Sequence, residues 1–216
     1  MVIRLLHIKK QFDKDLVLDI ESFEFQEGLY CLLGKNGAGK TTLLKIVAGL
    51  DRQFSGEVLF EELGKTVQLT NREITMVFQN PYVFDRTVRQ NIEYGLKLRG
   101  FPKYDIEERT QAIMDMTNLN GIADKNARKL SAGQQQRLCV ARAIALKPKV
   151  LLLDEPVSSL DDENKEMVFS ILDTIKKNKN SVVIMVTHEI DLARQITDRI
   201  LYINEKQLLF ERNSNA

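Results

Sequence analysis

A glycine-rich segment that joins an apolar run to a helical one constrains the fold more than any other feature of the chain. Residues 29–33 read as a short apolar strand, residues 34–41 are Gly-Lys-Asn-Gly-Ala-Gly-Lys-Thr, and a helix is predicted to follow. A plain glycine-rich turn would fit a strand–loop–helix unit. Such a turn has no need of Gly39, Lys40 and Thr41 in succession. The order fits G-x-x-x-x-G-K-[ST], the pattern of loops that bind phosphates.

This loop is a Walker A motif, and its positions have distinct roles in binding a nucleotide. The glycines let successive backbone N–H groups point into one concavity, and the helix that follows adds the positive end of its dipole. Lys40 supplies a cation for the β- and γ-phosphates, and the Thr41 hydroxyl is placed to bind Mg²⁺. The predicted nucleotide-binding residues of the loop are Gly34, Lys35, Asn36, Gly37, Ala38, Gly39, Lys40, Thr41 and Thr42.

Length and composition limit the classes of protein that the chain can represent. Its 216 residues suffice for one large domain or for one domain with an inserted lobe. A net charge of +1 gives no electrostatic footprint for nucleic acid, so no nucleic-acid partner is predicted. Cys31 and Cys139 lie far apart and are predicted to be buried, reduced thiols. With no apolar run long enough to span a bilayer and no signal peptide, we expect a cytosolic protein that reaches a membrane only through a partner.

The remaining hydrophobic pattern predicts an α/β core with an antiparallel edge sheet and a helical insertion. Residues 1–30 alternate, as in strands with one covered face, whereas the apolar runs at 150–153 and 182–187 suit central parallel strands. Helical texture fills the region from about 83 to 147. We predict helices over 88–98, 105–117, from 131 onward, 162–177 and 191–196, strands at 58–60 and 74–78, and a closing hairpin of 200–203 with 207–210.

The same hydrophobic pattern predicts a turn, two sets of buried residues and a frayed chain end. Residues 54–57 suggest a turn, and Met76–Phe78 is predicted to lie in the core. In the second helix of the insertion, Ile106, Ile113 and Met116 are predicted to share the buried stripe. Residues 213–216 have the composition of a frayed end.

A second phosphate-site motif lies at the carboxyl end of the apolar strand 150–153. The strand is followed by Asp154 and Glu155, which is the Walker B arrangement. Asp154 is placed to hold Mg²⁺ where parallel α/β sheets bind their ligands, and Glu155 to orient and deprotonate the attacking water. The alternative is a solvated Asp-Glu turn. A Walker A motif in the same chain argues against that alternative.

The segment Leu130-Ser-Ala-Gly-Gln-Gln-Gln-Arg137 resembles the signature motif of ATP-binding cassette (ABC) ATPases. By itself, Ser131 could simply cap a helix. Its position shortly before the Walker B strand is that of the signature in the ABC family, and the resemblance gives Ser131, Gly133 and Gln134 a role in nucleotide binding. Ala132 departs from the usual glycine of the signature. It leaves the backbone N–H available but narrows the allowed φ and ψ, so we expect activity to survive with weaker nucleotide-driven dimerisation.

Other residues resemble further motifs of the ABC family in the expected order along the chain. Gln79 matches the glutamine that touches Mg²⁺ and the attacking water, and residues 159–161, with Asp161, match the D-loop. His188 matches the switch histidine that contacts the γ-phosphate, although it could instead cap the next helix. Phe12 matches the aromatic that stacks on adenine, although it could instead be packed. His7 is predicted to be structural.

The resemblance implies a P-loop NTPase fold and a mechanism that needs two chains. A RecA-like core of about 1–82 and 148–216 would carry a helical subdomain of about 83–147. Two identical chains would pair head to tail when ATP and Mg²⁺ bind, so that the signature residues of one chain complete the other's site. Lys40, Gln79, Glu155 and His188 would be the catalytic residues, with Thr41, Gln79 and Asp154 holding the metal.

The same resemblance also indicates which process ATP hydrolysis would drive. Residues 79–100 look most like those of bacterial importer ATPases, especially cassettes for oxyanions such as tungstate and molybdate. The expected partners are permease subunits and an extracytoplasmic solute-binding protein, with the chain at the inner face of the membrane. Tyr82, Val83 and Phe84 would line the groove for the permease, unless they are merely buried between core and helical lobe.

The alternative function is a cassette that serves an exporter, a lipoprotein-release complex or a cell-division complex. Two other ABC classes are excluded by organisation: DNA-repair members have a long coiled coil between the Walker motifs, and ribosome-associated members have two cassettes. A kinase or a GTPase is disfavoured because neither uses the Ser131–Gln134 sequence.

Overall fold

The computed structural model describes residues 1–70, 72–158, 160–177 and 181–211. It contains two β-sheets and a set of helices, whose bounds in chain order are as follows. The strands are β1 (Val2–Phe12), β2 (Asp15–Gln26), β3 (Gly28–Leu33), β4 (Ser55–Glu62), β5 (Lys65–Val67), β6 (Ile74–Val77), β7 (Val150–Asp154), β8 (Val182–Val186), β9 (Ile200–Asn204) and β10 (Gln207–Phe210). The α-helices are α1 (Lys40–Val47), α2 (Val88–Leu98), α3 (Lys103–Met116), α4 (Ala132–Ala145), α5 (Asp162–Lys177) and α6 (Ile190–Ile196).

The alternating N-terminal segment forms an antiparallel sheet, as predicted. Strands β4 and β5 extend this sheet, and its order is β2-β1-β4-β5. The predicted turn at residues 54–57 is wrong, because β4 already begins at Ser55. Gly56 explains the misleading signal: it has φ +100°, and a Cβ there would lie 2.4 Å from the carbonyl oxygens of Leu6 and His7. The pairing of β1 with β4 shifts register between Leu6 and Lys9, so the glycine belongs to a bulge within the strand pair.

The continuously apolar strands form the centre of a six-stranded sheet with the order β10-β9-β3-β8-β7-β6. All neighbouring strands are parallel except β10, which closes the edge as the predicted hairpin with β9. Every residue of β7 and β8 is buried, because both faces of the sheet are covered. The first face packs against α1 and the antiparallel sheet, and the second against residues of α4, α5 and α6. The predicted α/β fold with an antiparallel edge sheet is confirmed.

The helical insertion has its own apolar core, formed mainly by residues of α2, α3 and α4. In α4, Leu138, Ala141 and Ala145 share a buried face. In α3, the prediction for Met116 is wrong: its side chain is 43% exposed, whereas Met114 is fully buried. The buried residues of α3 are Ile106, Thr110 and Met114, which follow one another at steps of four, so the centre of the stripe lies at Thr110. Met116, six residues after Thr110, lies about 120° away from it around the helix.

Two predictions for buried side chains have different outcomes. Cys31 and Cys139 are buried thiols that are not joined in a disulfide, as expected. Phe78 is 45% exposed and does not belong to the core, because β6 ends at Val77 and the chain leaves the sheet there. Among the residues that the structure describes, no helix has the length and apolar composition needed to cross a membrane.

Candidate nucleotide site

The glycine-rich loop bends between the end of β3 at Leu33 and the start of α1 at Lys40. Gly39 precedes the helix with φ +97°, and a Cβ on it would lie 2.8 Å from Val17 Cγ1 and 2.9 Å from Leu18 Cδ2. The loop therefore lies against β2 at a distance that only glycine allows. This contact between the first sheet and the phosphate loop fixes where the N-terminus of α1 points.

Lys40 folds across the loop that precedes it. Its side chain is buried, and Nζ donates to the carbonyl oxygens of Gly34, at 2.7 Å, and Lys35, at 3.0 Å. The ammonium is thereby held on the concave side of the bend. A cation at this position, together with the unpaired N–H groups at the start of α1, makes a site for an anion.

Thr41 and Asp154 meet although 113 residues separate them in sequence. Thr41 Oγ1 donates to Asp154 Oδ2 at 2.8 Å. Burial raises the pKa of the Asp154 carboxyl above its ordinary value, and the charge of Glu155 adds to this effect, while the Thr41 hydrogen bond opposes it. A buried carboxylate beside a hydroxyl is an oxygen donor set of the kind that Mg²⁺ prefers, so these residues fit the metal that the motifs predict.

Three residues from neighbouring parallel strands converge beside Asp154. Gln79 follows β6, Glu155 follows β7 and His188 follows β8. Gln79 Nε2 donates to Glu155 Oε2 at 2.9 Å, and His188 Nδ1 lies 3.6 Å from the same oxygen. Glu155 has φ +49°, which turns it away from the line of the strand, and its backbone N–H donates to the Val186 carbonyl oxygen at 3.1 Å. The alternative of a solvated Asp-Glu turn is therefore wrong.

Most of the residues predicted to bind nucleotide line a cavity of about 670 Å³, whereas Gly34 and Lys35 line an adjoining cavity that shares residues 36–38 with it. Residues 36–42 form its floor, Phe12 and Val17 form one wall, and Gln79, Glu155 and His188 also line it. Sequence reasoning missed Val17. The alternation of residues 16–20 was the available signal, but it does not say which strand position meets the loop.

The structure argues against packing alone as the role of Phe12 and against helix capping as the role of His188. Phe12 is 50% exposed at the cavity, so it is not simply packed in the core. The N-cap position of α6 is occupied by Glu189, so His188 does not cap that helix. His7 is exposed and pairs with Glu21 through Nδ1 at 3.0 Å, away from the residues that line the cavity.

The signature residues lie outside this cavity. Ser131 Oγ accepts the Gln134 N–H at 3.2 Å, and Gln134 Oε1 accepts the Ser131 N–H at 3.2 Å, which caps α4 at both residues. Ser131, Gly133 and Gln134 do not line the cavity; Ser131 is exposed at the helix start, and Gly133 and Gln134 are half-buried. Ala132 is the first residue of α4, where a helical conformation suits alanine as well as glycine.

Asp161 marks the start of the next helix. Its Oδ1 accepts bonds from the Asn164 backbone N–H at 3.0 Å and from Asn164 Nδ2 at 2.6 Å, and these bonds lower the pKa of its carboxyl. Arg137 of α4 donates to Asn164 Oδ1 at 2.8 Å, so the signature helix and the Asp161 segment are linked. Ser159, the first predicted D-loop residue, lies outside the described residues.

Comparison with known proteins identifies the family. The sequence profile of the family described as "ABC transporter" matches residues 18–158, which span both phosphate-site motifs and the signature. The chain belongs to the ABC transporter family. It is therefore an ATP-binding protein with ATPase activity, and its two sheets and inserted helices are the ABC ATPase form of the P-loop fold.

Individual relatives agree with this assignment. The tungstate uptake system ATP-binding protein TupC of Peptoclostridium acidaminophilum is 39% identical over 204 residues, covering 94% of each protein. The spermidine/putrescine import ATP-binding protein PotA of Spiroplasma citri is 40% identical over 94% of this chain, which spans 59% of that relative. The solved structure of cbiO1 from Clostridium perfringens, part of the ABC transporter complex cbiONQ, has a TM-score of 0.82 at 25% identity, covering 96% of this chain and 86% of that one.

Proposed function

We propose that this ABC ATPase binds ATP with Mg²⁺ between two copies of itself and uses hydrolysis to drive solute import. The observation that carries the proposal is the convergence of Lys40, the Thr41–Asp154 pair and the Gln79–Glu155–His188 cluster at one cavity. Positioned charges of this kind are what phosphoryl transfer to water requires.

Each residue has a definite part in the proposed reaction. Lys40 and the N–H groups of residues 36–41 bind the β- and γ-phosphates, and Phe12 stacks on the adenine. Thr41, Asp154 and the side-chain oxygen of Gln79 hold Mg²⁺, which supplies charge neutralisation on the phosphates when it is bound. Glu155 Oε2 orients and deprotonates the attacking water, and His188 contacts the γ-phosphate.

The proposed site is shared between two chains. Ser131, Gly133 and Gln134 lie at an exposed helix N-terminus and do not line the cavity of their own chain, so a second copy is needed to bring such a terminus to the γ-phosphate. Asp161 lies in the segment that follows the Walker B residues and would meet its counterpart near the same interface. We place the boundary between the RecA-like core, 1–82 with 148–216, and the helical subdomain, 83–147, at the two ends of the insertion.

We propose that the pair of chains drives the import of an oxyanion such as tungstate or molybdate. Similarity to TupC over almost the full length of both proteins supports it, and the uptake and import names of the other relatives support import over export. The chain would act with permease subunits and an extracytoplasmic binding protein, at the inner face of the membrane.

A groove beside the insertion is the proposed contact with the permease. It has a volume of about 330 Å³ and is lined by Tyr82 and Phe84, with Tyr82 68% exposed. Arg142 also lines the groove, where it donates to the Tyr82 carbonyl oxygen at 2.8 Å and lies over the Phe84 ring. Val83 does not line the groove and packs instead against the two neighbouring cores.

The shared-site mechanism is tested with Glu155→Gln. The substitution keeps the shape of the side chain and an oxygen that can accept the Gln79 bond, but it removes the base. We expect ATP to bind, turnover to fall by about 10²–10⁴-fold, and ATP to trap a dimer detectable by size-exclusion chromatography. Glu166→Gln, at an exposed position on α5, is the matched control and should behave as the wild type. Unchanged hydrolysis in Glu155→Gln would remove Glu155 from the role of base.

The partner and the solute are tested together. The tagged chain is purified from membranes in mild detergent, its partners are identified, and the associated binding protein is titrated with tungstate, molybdate and sulfate. Copurification of a permease and tight binding of an oxyanion would support the proposal. A lipoprotein-release or division complex in place of a permease would refute it.

A further inference from the structure

Lys10 is a buried cation whose contacts lie at the edge of the nucleotide cavity. Its side chain is 3% exposed, and Nζ lies 2.8 Å from Asp51 Oδ2 and donates to the Gln53 carbonyl oxygen at 2.8 Å. The same nitrogen lies 4.6 Å from the centroid of the Phe12 ring. An ammonium loses much of its hydration when it is buried, so these three contacts are what makes its position tolerable.

The contacts of Lys10 join two parts of the site that are distant in sequence. Phe12 ends β1, two residues after Lys10. Asp51 and Gln53 belong to the segment that follows α1, the helix that begins at Lys40. The ion pair therefore ties the strand end that carries the aromatic wall to the helix that carries the phosphate loop, and it sets the spacing between them.

Of the Lys10–Phe12 pair, the Phe12 ring is the part that reaches the cavity. Phe12 lines the cavity, whereas Lys10 does not. One face of the ring thus meets a desolvated cation, where attraction between the charge and the π-electrons is strongest. That attraction fixes the tilt of the ring, and it draws electron density away from the face that is turned to the cavity. A face with less electron density is a better platform for the electron-rich face of a purine.

We propose that Lys10 is a positioning residue for nucleotide binding: it holds the Phe12 ring against the cavity, at a fixed distance from the phosphate loop, so that the ring can stack on the base. This inference rests on the proposed function, since it takes Phe12 as the platform for adenine. It adds a residue that touches no part of the nucleotide and acts on base binding only through the Phe12 ring.

A base-specific readout distinguishes this role from a purely structural one. ATP and inorganic tripolyphosphate share the phosphate contacts, but only ATP has a base. Binding of each, with Mg²⁺, is measured by isothermal titration calorimetry for the wild type, Lys10→Met, Lys10→Arg and Phe12→Ala. Lys9→Met is the matched control, because Lys9 is an exposed neighbour that pairs with Asp19 at the surface.

We expect Lys10→Met to weaken ATP binding by about three- to tenfold, the range for a partly desolvated cation–π contact, and to leave tripolyphosphate binding within about twofold. Lys10→Arg should recover most of the ATP affinity, because a guanidinium can also lie over the ring. In Phe12→Ala, the further change Lys10→Met should have no effect on ATP binding. Lys9→Met should match the wild type with both probes.

Other outcomes would overturn the inference in distinguishable ways. Equal losses for ATP and tripolyphosphate would make Lys10 a structural residue only, and a full effect of Lys10→Met without Phe12 would exclude action through the ring. If Phe12→Ala bound ATP normally, the inference would fail while the proposed phosphate chemistry stood. If the wild type bound neither probe, the proposed function itself would fail. Should Lys10→Met fold poorly, Lys10→Met with Asp51→Asn removes the carboxylate left without Lys10 and gives the same comparison.

Discussion

Gly39→Ala is the substitution for which the structure gives the clearest magnitude. Two costs add at this position. An alanine at φ +97° costs about 1–2 kcal/mol in backbone strain, and its Cβ, 2.8 Å from Val17 Cγ1 and 2.9 Å from Leu18 Cδ2, costs about 1–3 kcal/mol in overpacking. The sum, about 2–5 kcal/mol, corresponds to a fall in melting temperature of about 4–20 °C for a chain of this size.

Gly37→Ala is the matched control for this prediction. Gly37 lies in the same loop with φ +79°, but a Cβ there would meet nothing within 4 Å, so only the strain remains. Both variants are followed by differential scanning calorimetry without nucleotide, and ATP binding is then measured by calorimetric titration. We expect Gly39→Ala to melt well below Gly37→Ala. Melting within about 2 °C of the control would refute the claim that the loop and β2 are in contact that only glycine allows.

Three further predictions concern other groups of the structure. Asp154→Asn should raise the melting temperature of the nucleotide-free protein, because it removes a carboxylate whose charged form is disfavoured by burial, as the raised pKa of Asp154 indicates. The additional stabilisation by ATP with Mg²⁺ should disappear in this variant. A lower melting temperature without ligand would contradict the prediction. Asn91→Ala should destabilise the protein by about 2–4 kcal/mol in urea denaturation, because the buried amide accepts from the Phe84 N–H and donates to the Phe84, Arg86 and Thr87 carbonyl oxygens. Glu73→Gln should lower the free energy of unfolding by about 0.5–1 kcal/mol at pH 7 and leave it unchanged at low pH. The Thr70 N–H and Lys149 lower the pKa of the Glu73 carboxyl. Its contribution to stability is therefore present above the ordinary pKa of glutamate and is lost as the pH falls through the lowered value, which denaturation at several pH values would show.

Most elements of the fold could be predicted because their signals are local. The bounds of α2 are those predicted, and β7 and β8 follow from short, continuously apolar runs. The errors have physical causes. Gly56 is a residue type that is common in turns, but here it lies in a bulge of the β1–β4 pair. Glycine is required there because the backbone of β1, about fifty residues earlier in the chain, leaves no space for a Cβ. Phe78 is apolar, yet its exposure depends on where β6 leaves the sheet, which hydrophobicity does not encode.

The site shows the same division between what is local and what is not. Parallel strands deliver their carboxyl ends to one edge of a sheet, so the motifs alone place Gln79, Asp154 and His188 together. They do not give the hydrogen bond from Gln79 to Glu155, since it depends on the left-handed backbone of Glu155. They also do not give Lys10, whose partner Asp51 is 41 residues away and whose residue type predicts a surface position.

The two sheets contribute different parts of the nucleotide site. The parallel sheet supplies the phosphate and metal ligands, while the antiparallel sheet supplies Phe12 and Val17, and the two meet at Gly39 and at the Lys10–Asp51 pair. Loosening the Lys10–Asp51 contact would leave the phosphate ligands intact but misplace the Phe12 ring that faces the base. Affinity for phosphate and affinity for the base should therefore respond to different substitutions, with Gly39 the position where both respond together because it touches both sheets.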